Sequence, residues 1–237
     1  MTSAPAISTD AAWLVGLLQA GDSFYPTGSY AHSFGLEGLV QQGVVRNRET
    51  LRKFVFLSAL PALRHTDLPL AAHAWRAFAT PDWTRLGELC VLSSALKTAR
   101  EARTASENIG RQRAELMATL RNHALAHEFL RRTTAETWPC SPAISAALEG
   151  RVLDAPLPAV LAGIAYATLS SLLSAAMKIL RLGQNASQSL LTEALTGAPA
   201  MIAAAEATPF DEIGWFNPWL DIAAARHESA DSRMFIS

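Results

Sequence analysis

His32 and Ser33 stand in the segment Ala31-His32-Ser33-Phe34-Gly35, which has the outline of a nucleophile elbow with its first glycine replaced. A small serine hydrolase built on Ser33 and His32 is therefore the enzymatic reading of this chain. Such an elbow needs a strand that turns sharply into a helix, and no strand pattern precedes Ser33. The plainer reading is that Ser29 or Ser33 stabilises a helix start. His123 and His127 are four residues apart, a spacing that turns both imidazoles to one side of a helix, as a divalent metal requires. No third ligand follows at a telling spacing, so the two are read as a solvated face rather than a metal site, with His65 and His73 as surface or capping groups. Cys90 and Cys140 form neither CxxC nor CxxxC, which excludes a disulfide scaffold and fits a reducing cytoplasm. The strings GxxxxGK[ST], GxGxxG and HExxH are absent, so the chain is not expected to bind a nucleoside triphosphate in P-loop fashion.

The elements that must position these residues read as helices almost throughout. Asp10 is expected to cap a first helix with Trp13, Leu14, Leu17 and Leu18 on one face. A loop around Pro26 and Gly28 leads to a second helix that ends near Gln42 and Gly43. Asn47 caps a third, with Leu51, Phe54, Val55 and Ser58 on one stripe; Asp67 with Pro69 opens a fourth, and Asp82 a fifth. The spacing stays helical from 95 to 135, with Gly110 and Asn122 as expected breaks. Ser141-Pro142 begins a short helix ended by Gly150, a long helix runs from about 157 to 182, Asn185 starts another that Gly197 ends, and Asn217-Pro218 caps the last. No pair of β-branched runs is joined by Asn-Gly or Asp-Gly. The expected class is all-α, a single-domain bundle of about ten helices over 1–237, with 1–9 and 229–237 flexible when unbound.

Composition narrows the function classes. Of 237 residues, 44 are alanine, and charged residues make up 17%, below the roughly 25% of an average soluble domain. Twenty Lys+Arg against 21 Asp+Glu leave a net charge of −1, which offers no general attraction for nucleic acid or an anionic membrane. So little charge fits a surface partly covered by other subunits. Residues 97–136 hold eight basic and five acidic side chains, the pattern of solvated helix. Residues 155–177 hold none. That stretch is long enough to span a bilayer, yet its prolines, serines and Thr168 favour a helix buried all round in a bundle. Lys178 is the sole charge between 155 and 180, and six acidic against two basic side chains follow from residue 201.

The segment 21–43, GDSFYPTGSYAHSFGLEGLVQQG, is the most unusual in the chain. With Asp22, Pro26, Gly28, Tyr30, His32, Ser33, Gly35, Leu36 and Glu37, it closely resembles the motif region of the UreF family of urease accessory proteins. Two further stretches resemble the family in the right order: 175–184, with Lys178 and Gln184, and 220–235, with Asp221, His227, Glu228 and Arg233. Arg181 stands where many members have proline, and Ile236 where many have a basic residue. The resemblance implies an all-helical, cytoplasmic, non-catalytic homodimer that binds a UreD/UreH-type partner. It also implies recruitment and regulation of the nickel-carrying UreG-type GTPase on the urease apoprotein, with no cofactor bound by the chain itself. Nickel would be handled by the assembled complex. On the same ground Lys178, Gln184, Asp221, His227, Glu228 and Arg233 are expected to contact partners. Asp22, Tyr30, His32, Ser33 and Glu37 are candidates for the dimer core or a nickel route, and no membrane or nucleic-acid partner is implied.

Overall fold

Leucine and alanine at helical spacing, with capping residues between, build a molecule of helices and turns, and the described residues contain no strand. The computed structural model describes residues 11–28, 33–227 and 235, with backbone alone at 226 and 227. Asp10, Tyr30, His32, Glu228 and Arg233, the side chain of His227, and the flexible ends expected at 1–9 and 229–237 (Phe235 excepted) lie outside that description. Helix α1 is Ala12–Gly21 and α2 is Leu36–Gln41. A rod follows from residue 48 to 79: α3 (Arg48–Phe54), α4 (Leu60–Ala62) and α5 (Leu68–Ala79) joined by π-helical turns at Val55–Ala59 and Leu63–Asp67. Then come α6 (Trp83–Ala95), α7 (Arg100–Arg121), α8 (Ala124–Ala135), α9 (Pro142–Val152), α10 (Leu157–Ile179), α11 (Gln184–Leu195), α12 (Ala198–Ala207) and α13 (Pro218–His227). With the rod taken as one element, the described residues hold eleven α-helices, close to the ten expected.

Several caps stand where the residue types put them. Asn47 and Thr50 form a reciprocal capping box, Asp82 Oδ1 accepts the Arg85 N–H, and Asn217 Oδ1 accepts the Leu220 N–H. Asp67 does not open a helix: its backbone is already helical and its carboxylate lies 3.7 Å from Lys97. The physical reason is that Pro61 and Pro69 lack the N–H that would bond four residues back. The chain widens instead, so that Leu60 donates to the Val55 carbonyl and Leu68 to that of Leu63. The carbonyl of His65, which Pro69 cannot reach, accepts the Gly214 N–H at 2.9 Å. His73 is not a surface group, because Nε2 donates to the Thr208 carbonyl (2.9 Å) and its ring meets Phe210 edge-on.

The centre is α9 rather than the long apolar helix. Every residue from Ala143 to Gly150 is buried, and α9 packs closely on α5 and α7. Gly110 does not break α7. A Cβ there would sit 2.0 Å from the Cys140 carbonyl oxygen, so glycine is what lets α7 meet the chain entering α9. Ser145 Oγ, donating to the Gly110 carbonyl (2.7 Å), closes the same contact. Gly150 likewise lies within α9 and not at its end. Helix α10 is buried on one side by α1, α5, α9, α11 and α12 but exposes Pro158, Ala162 and Tyr166, so it is not enclosed all round. It is the one described helix long and apolar enough to cross a membrane, and its contacts are those of a bundle helix. In α1 the buried residues are Gly16 and Ala20, while Leu14 and Leu18 face outward, contrary to the expected apolar stripe. One hydrophobic core runs from Leu36 to Ala223.

Gly110→Ala should drive α7 from α9 and cost about 1–3 kcal/mol of stability, read as a lower midpoint in thermal or urea denaturation.

Candidate functional site

The loop after α1 is fixed from inside. Asp22 Oδ1 accepts the Phe24 N–H at 2.6 Å, and the Asp22 carbonyl accepts the Tyr25 N–H, forming a tight turn with Phe24 fully exposed at its tip. Tyr25 points the other way. Its hydroxyl donates to Glu149 Oε1 (2.8 Å), and Glu149 Oε2 accepts from Arg113 Nε and Nη2 (2.9 and 2.8 Å). Glu149 is wholly buried, so its charge is tolerable only because both oxygens are bonded and a guanidinium faces it. Burial first, and the adjacent carboxylate second, push the Tyr25 phenol above its ordinary range. Sequence reasoning missed this cluster. The available signal was Glu149, the one charged residue in the run 142–150.

From that loop the chain reaches a second assembly, in which the three family-like stretches converge. Ser33 is buried, and its Oγ accepts the Glu37 N–H at 3.3 Å at the start of α2. A serine engaged in this way stabilises a helix start, and among the described residues there is no strand from which a nucleophile elbow could turn. Gly35 has φ +78°, and a Cβ there would lie 2.6 Å from Leu220 Cδ1, so glycine permits both the backbone turn and the seating of α13 on α2. Glu37, 6% exposed, accepts the Phe235 N–H on Oε2 at 2.9 Å. Lys178 Nζ stands 5.4 Å from the centre of the Phe235 ring, within cation–π range. Residues from 33–37, 178, 220 and 235 thus share one locus where α2 touches both α10 and α13.

Other expected residues fall elsewhere. Gln184 is exposed in the first turn of α11, and Asp221 is half-buried in the first turn of α13. His123 is not helical. Its Nδ1 accepts the Leu125 N–H and caps α8, while His127 Nε2 donates to Asn122 Oδ1, so the pair lacks the i,i+4 geometry a shared metal needs. Among the described residues no cluster of three or more His, Cys, Asp or Glu side chains could hold a metal ion. Cys90 and Cys140 are buried thiols; burial raises both, Cys140 to about 11, so they stay protonated near neutrality.

Comparison with known proteins finds similarity over most of the chain. A family model described as UreF matches residues 45–195. The chain is 30% identical to the urease accessory protein UreF of Corynebacterium efficiens over 220 residues, covering 93% of this chain and 95% of that protein. It is 33% identical to the urease accessory protein UreF 1 of Brucella melitensis biotype 1, covering 94% and 92%, and 30% identical to the urease accessory protein UreF of Granulibacter bethesdensis, covering 99% and 98%.

Because the folded-state phenol of Tyr25 ionises above its unfolded value of 10.0, its contribution to stability is full below pH 10 and fades as pH rises further. Tyr25→Phe should therefore flatten the alkaline side of the stability–pH curve above pH 10, measured by urea denaturation at stepped pH. Glu37→Ala leaves the buried Phe235 N–H without its acceptor, a local cost of about 1–3 kcal/mol. Faster hydrogen exchange of the Phe235 amide than in the wild type is the expected readout.

Proposed function

Since the chain belongs to the UreF family of urease accessory proteins, we propose that it is a non-catalytic scaffold for urease maturation. In this reading it forms a homodimer, binds a UreD/UreH-type accessory protein, and recruits and regulates a UreG-type GTPase on the urease apoprotein in the cytoplasm. Nickel is cargo of the assembled complex and not a cofactor of this chain. The observation that supports the reading best is the convergence of three sequence-distant stretches on the Glu37, Lys178 and Phe235 locus. Binding surfaces assembled in this way exist only in the folded chain and suit recognition of a folded partner.

Lys178 is the exposed cation of that locus, at the end of an uncharged helix, and it is the residue we assign to the GTPase, where a positive charge biases a nucleotide-dependent switch. Gln184 on α11 and Asp221 on α13 follow it in sequence, and His227, Glu228 and Arg233 complete the same partner-binding set. Asp22, Tyr30, His32, Ser33 and Glu37 are assigned to the interior of the complex or the path of nickel. For the homodimer, the supporting feature is the uncharged face of α1 and the adjoining α10, with Leu14, Val15, Leu18 and Tyr166 exposed. An apolar patch pairs with its own copy across a two-fold axis without like-charge repulsion.

The experiment is co-purification with UreD- and UreG-type proteins, followed by urease activation with Lys178→Ala and Arg233→Ala. Complex formation by the wild type and lowered activation by the variants, at unchanged thermal stability, are expected. No complex with either folded partner would remove the scaffold role. Replacing Val15 and Leu18 together by Glu should convert the dimer to monomer in light scattering, since both are more than 60% exposed and tolerate charge in the folded protomer.

A further inference from the structure

Phe34 has a backbone conformation that its own side chain disfavours, with φ +53° ahead of Gly35 at φ +78°. The Leu36 N–H donates to the Ser33 carbonyl at 3.0 Å, so residues 33–36 form a tight turn with two left-handed central residues, the arrangement of a type I′ turn. Asn, Asp and Gly adopt the first of those positions readily, whereas a bulky side chain there is strained. Gly35 meets the demand of the turn; Phe34 does not. The other non-glycine residues with positive φ among those described are Asn122, Thr137 and Asp154. They follow the ends of α7, α8 and α9, where a left-handed residue is a common termination. Phe34 alone among the four stands ahead of a helix.

Burial does not account for the strain. Phe34 is 41% exposed and lies outside the hydrophobic core, while Ser33, Gly35 and Leu36 around it are buried. Those neighbours hold the turn in place, Ser33 by accepting the Glu37 N–H and Gly35 by seating Leu220. A strained residue that neither the turn nor the core rewards is kept for a contact outside the chain. Phe34 belongs to the locus in which Glu37 of α2 holds the Phe235 backbone and Lys178 of α10 lies over the Phe235 ring. An exposed aromatic ring and an exposed cation on one surface are complementary to an apolar socket bordered by carboxylates. We propose that Phe34 is the apolar anchor of the GTPase-binding surface, strained by the fold so that its ring enters such a socket on the UreG-type protein. The inference rests on the scaffold reading, which assigns Lys178 to that partner, and adds a residue to it.

Full-length wild type, Phe34→Asn, Phe34→Leu and Lys178→Ala are compared in thermal midpoint and in affinity for two proteins: the UreD-type partner, and the UreG-type GTPase titrated into that complex. Phe34→Asn, which the turn prefers, should unfold at the wild-type temperature or about 2–4 °C above it. It should nevertheless bind the GTPase at least about tenfold more weakly. Phe34→Leu, apolar but no better suited to the turn, should bind the GTPase more tightly than Phe34→Asn while being the less stable of the two. The proposal is overturned if Phe34→Asn lowers the midpoint, which would make the ring a packing element, or if its loss of affinity is confined to the UreD-type protein. Wild-type GTPase binding by Phe34→Asn, beside weakened binding by Lys178→Ala, removes the anchor and leaves the scaffold reading standing. No complex with the wild type removes the scaffold reading and the anchor with it.

Discussion

A fully buried carboxylate at the centre of an alanine-rich bundle is the constraint on which the other features turn. Glu149 sits in the one helix with a continuous run of eight buried residues, and it keeps its charge there only by holding Arg113 of α7 and Tyr25 of the loop after α1. Removing one partner from such a group leaves an uncompensated buried charge, typically a loss of about 3–5 kcal/mol, whereas apolar packing is indifferent to small shifts. The triad therefore specifies the register of α7 on α9 and the path of residues 22–28. It acts together with Gly110, which brings α7 into backbone contact with the chain entering α9. Ser33, Gly35 and Glu37 follow that loop in sequence.

That locus shows how a fold with little charge brings sequence-distant polar groups together. Alanine and glycine let the helices approach closely, so a small number of polar groups, spread over two hundred residues of sequence, come together. Gly35 seats Leu220, Glu37 holds the Phe235 backbone, and Lys178 lies against the Phe235 ring. The chemistry is that of positioning: one exposed cation, one buried carboxylate and an aromatic ring. It fits the membership of the chain among urease accessory proteins.

Much of this was legible in the sequence, for reasons that are local. Asn47, Asp82, Ser141 and Asn217 cap helices because their side chains reach backbone donors two or three residues away, and such contacts do not depend on the rest of the fold. The three family-like stretches were visible as strings. What escaped depended on partners distant in sequence. Pro69 reads as a helix start, but Gly214 supplies a bond that lets the helix pass through it, and Gly110 reads as a break until Cys140 is placed against it. Glu149 gives no local sign of its ligands, which lie 36 and 124 residues away. The uncharged stretch 155–177 suggested the centre of the bundle, yet α9, shorter and carrying a charge, occupies it.

The central claim is that residues around 33–37, 178 and 220–235 act as one binding surface. Hydrogen exchange followed by mass spectrometry, on the full chain before and after assembly with UreD- and UreG-type proteins, tests it most directly. The account predicts that peptides covering α2, the end of α10 and α13 gain protection together on assembly. Protection confined to other helices, such as α7 and α8, with these three unchanged, would contradict it.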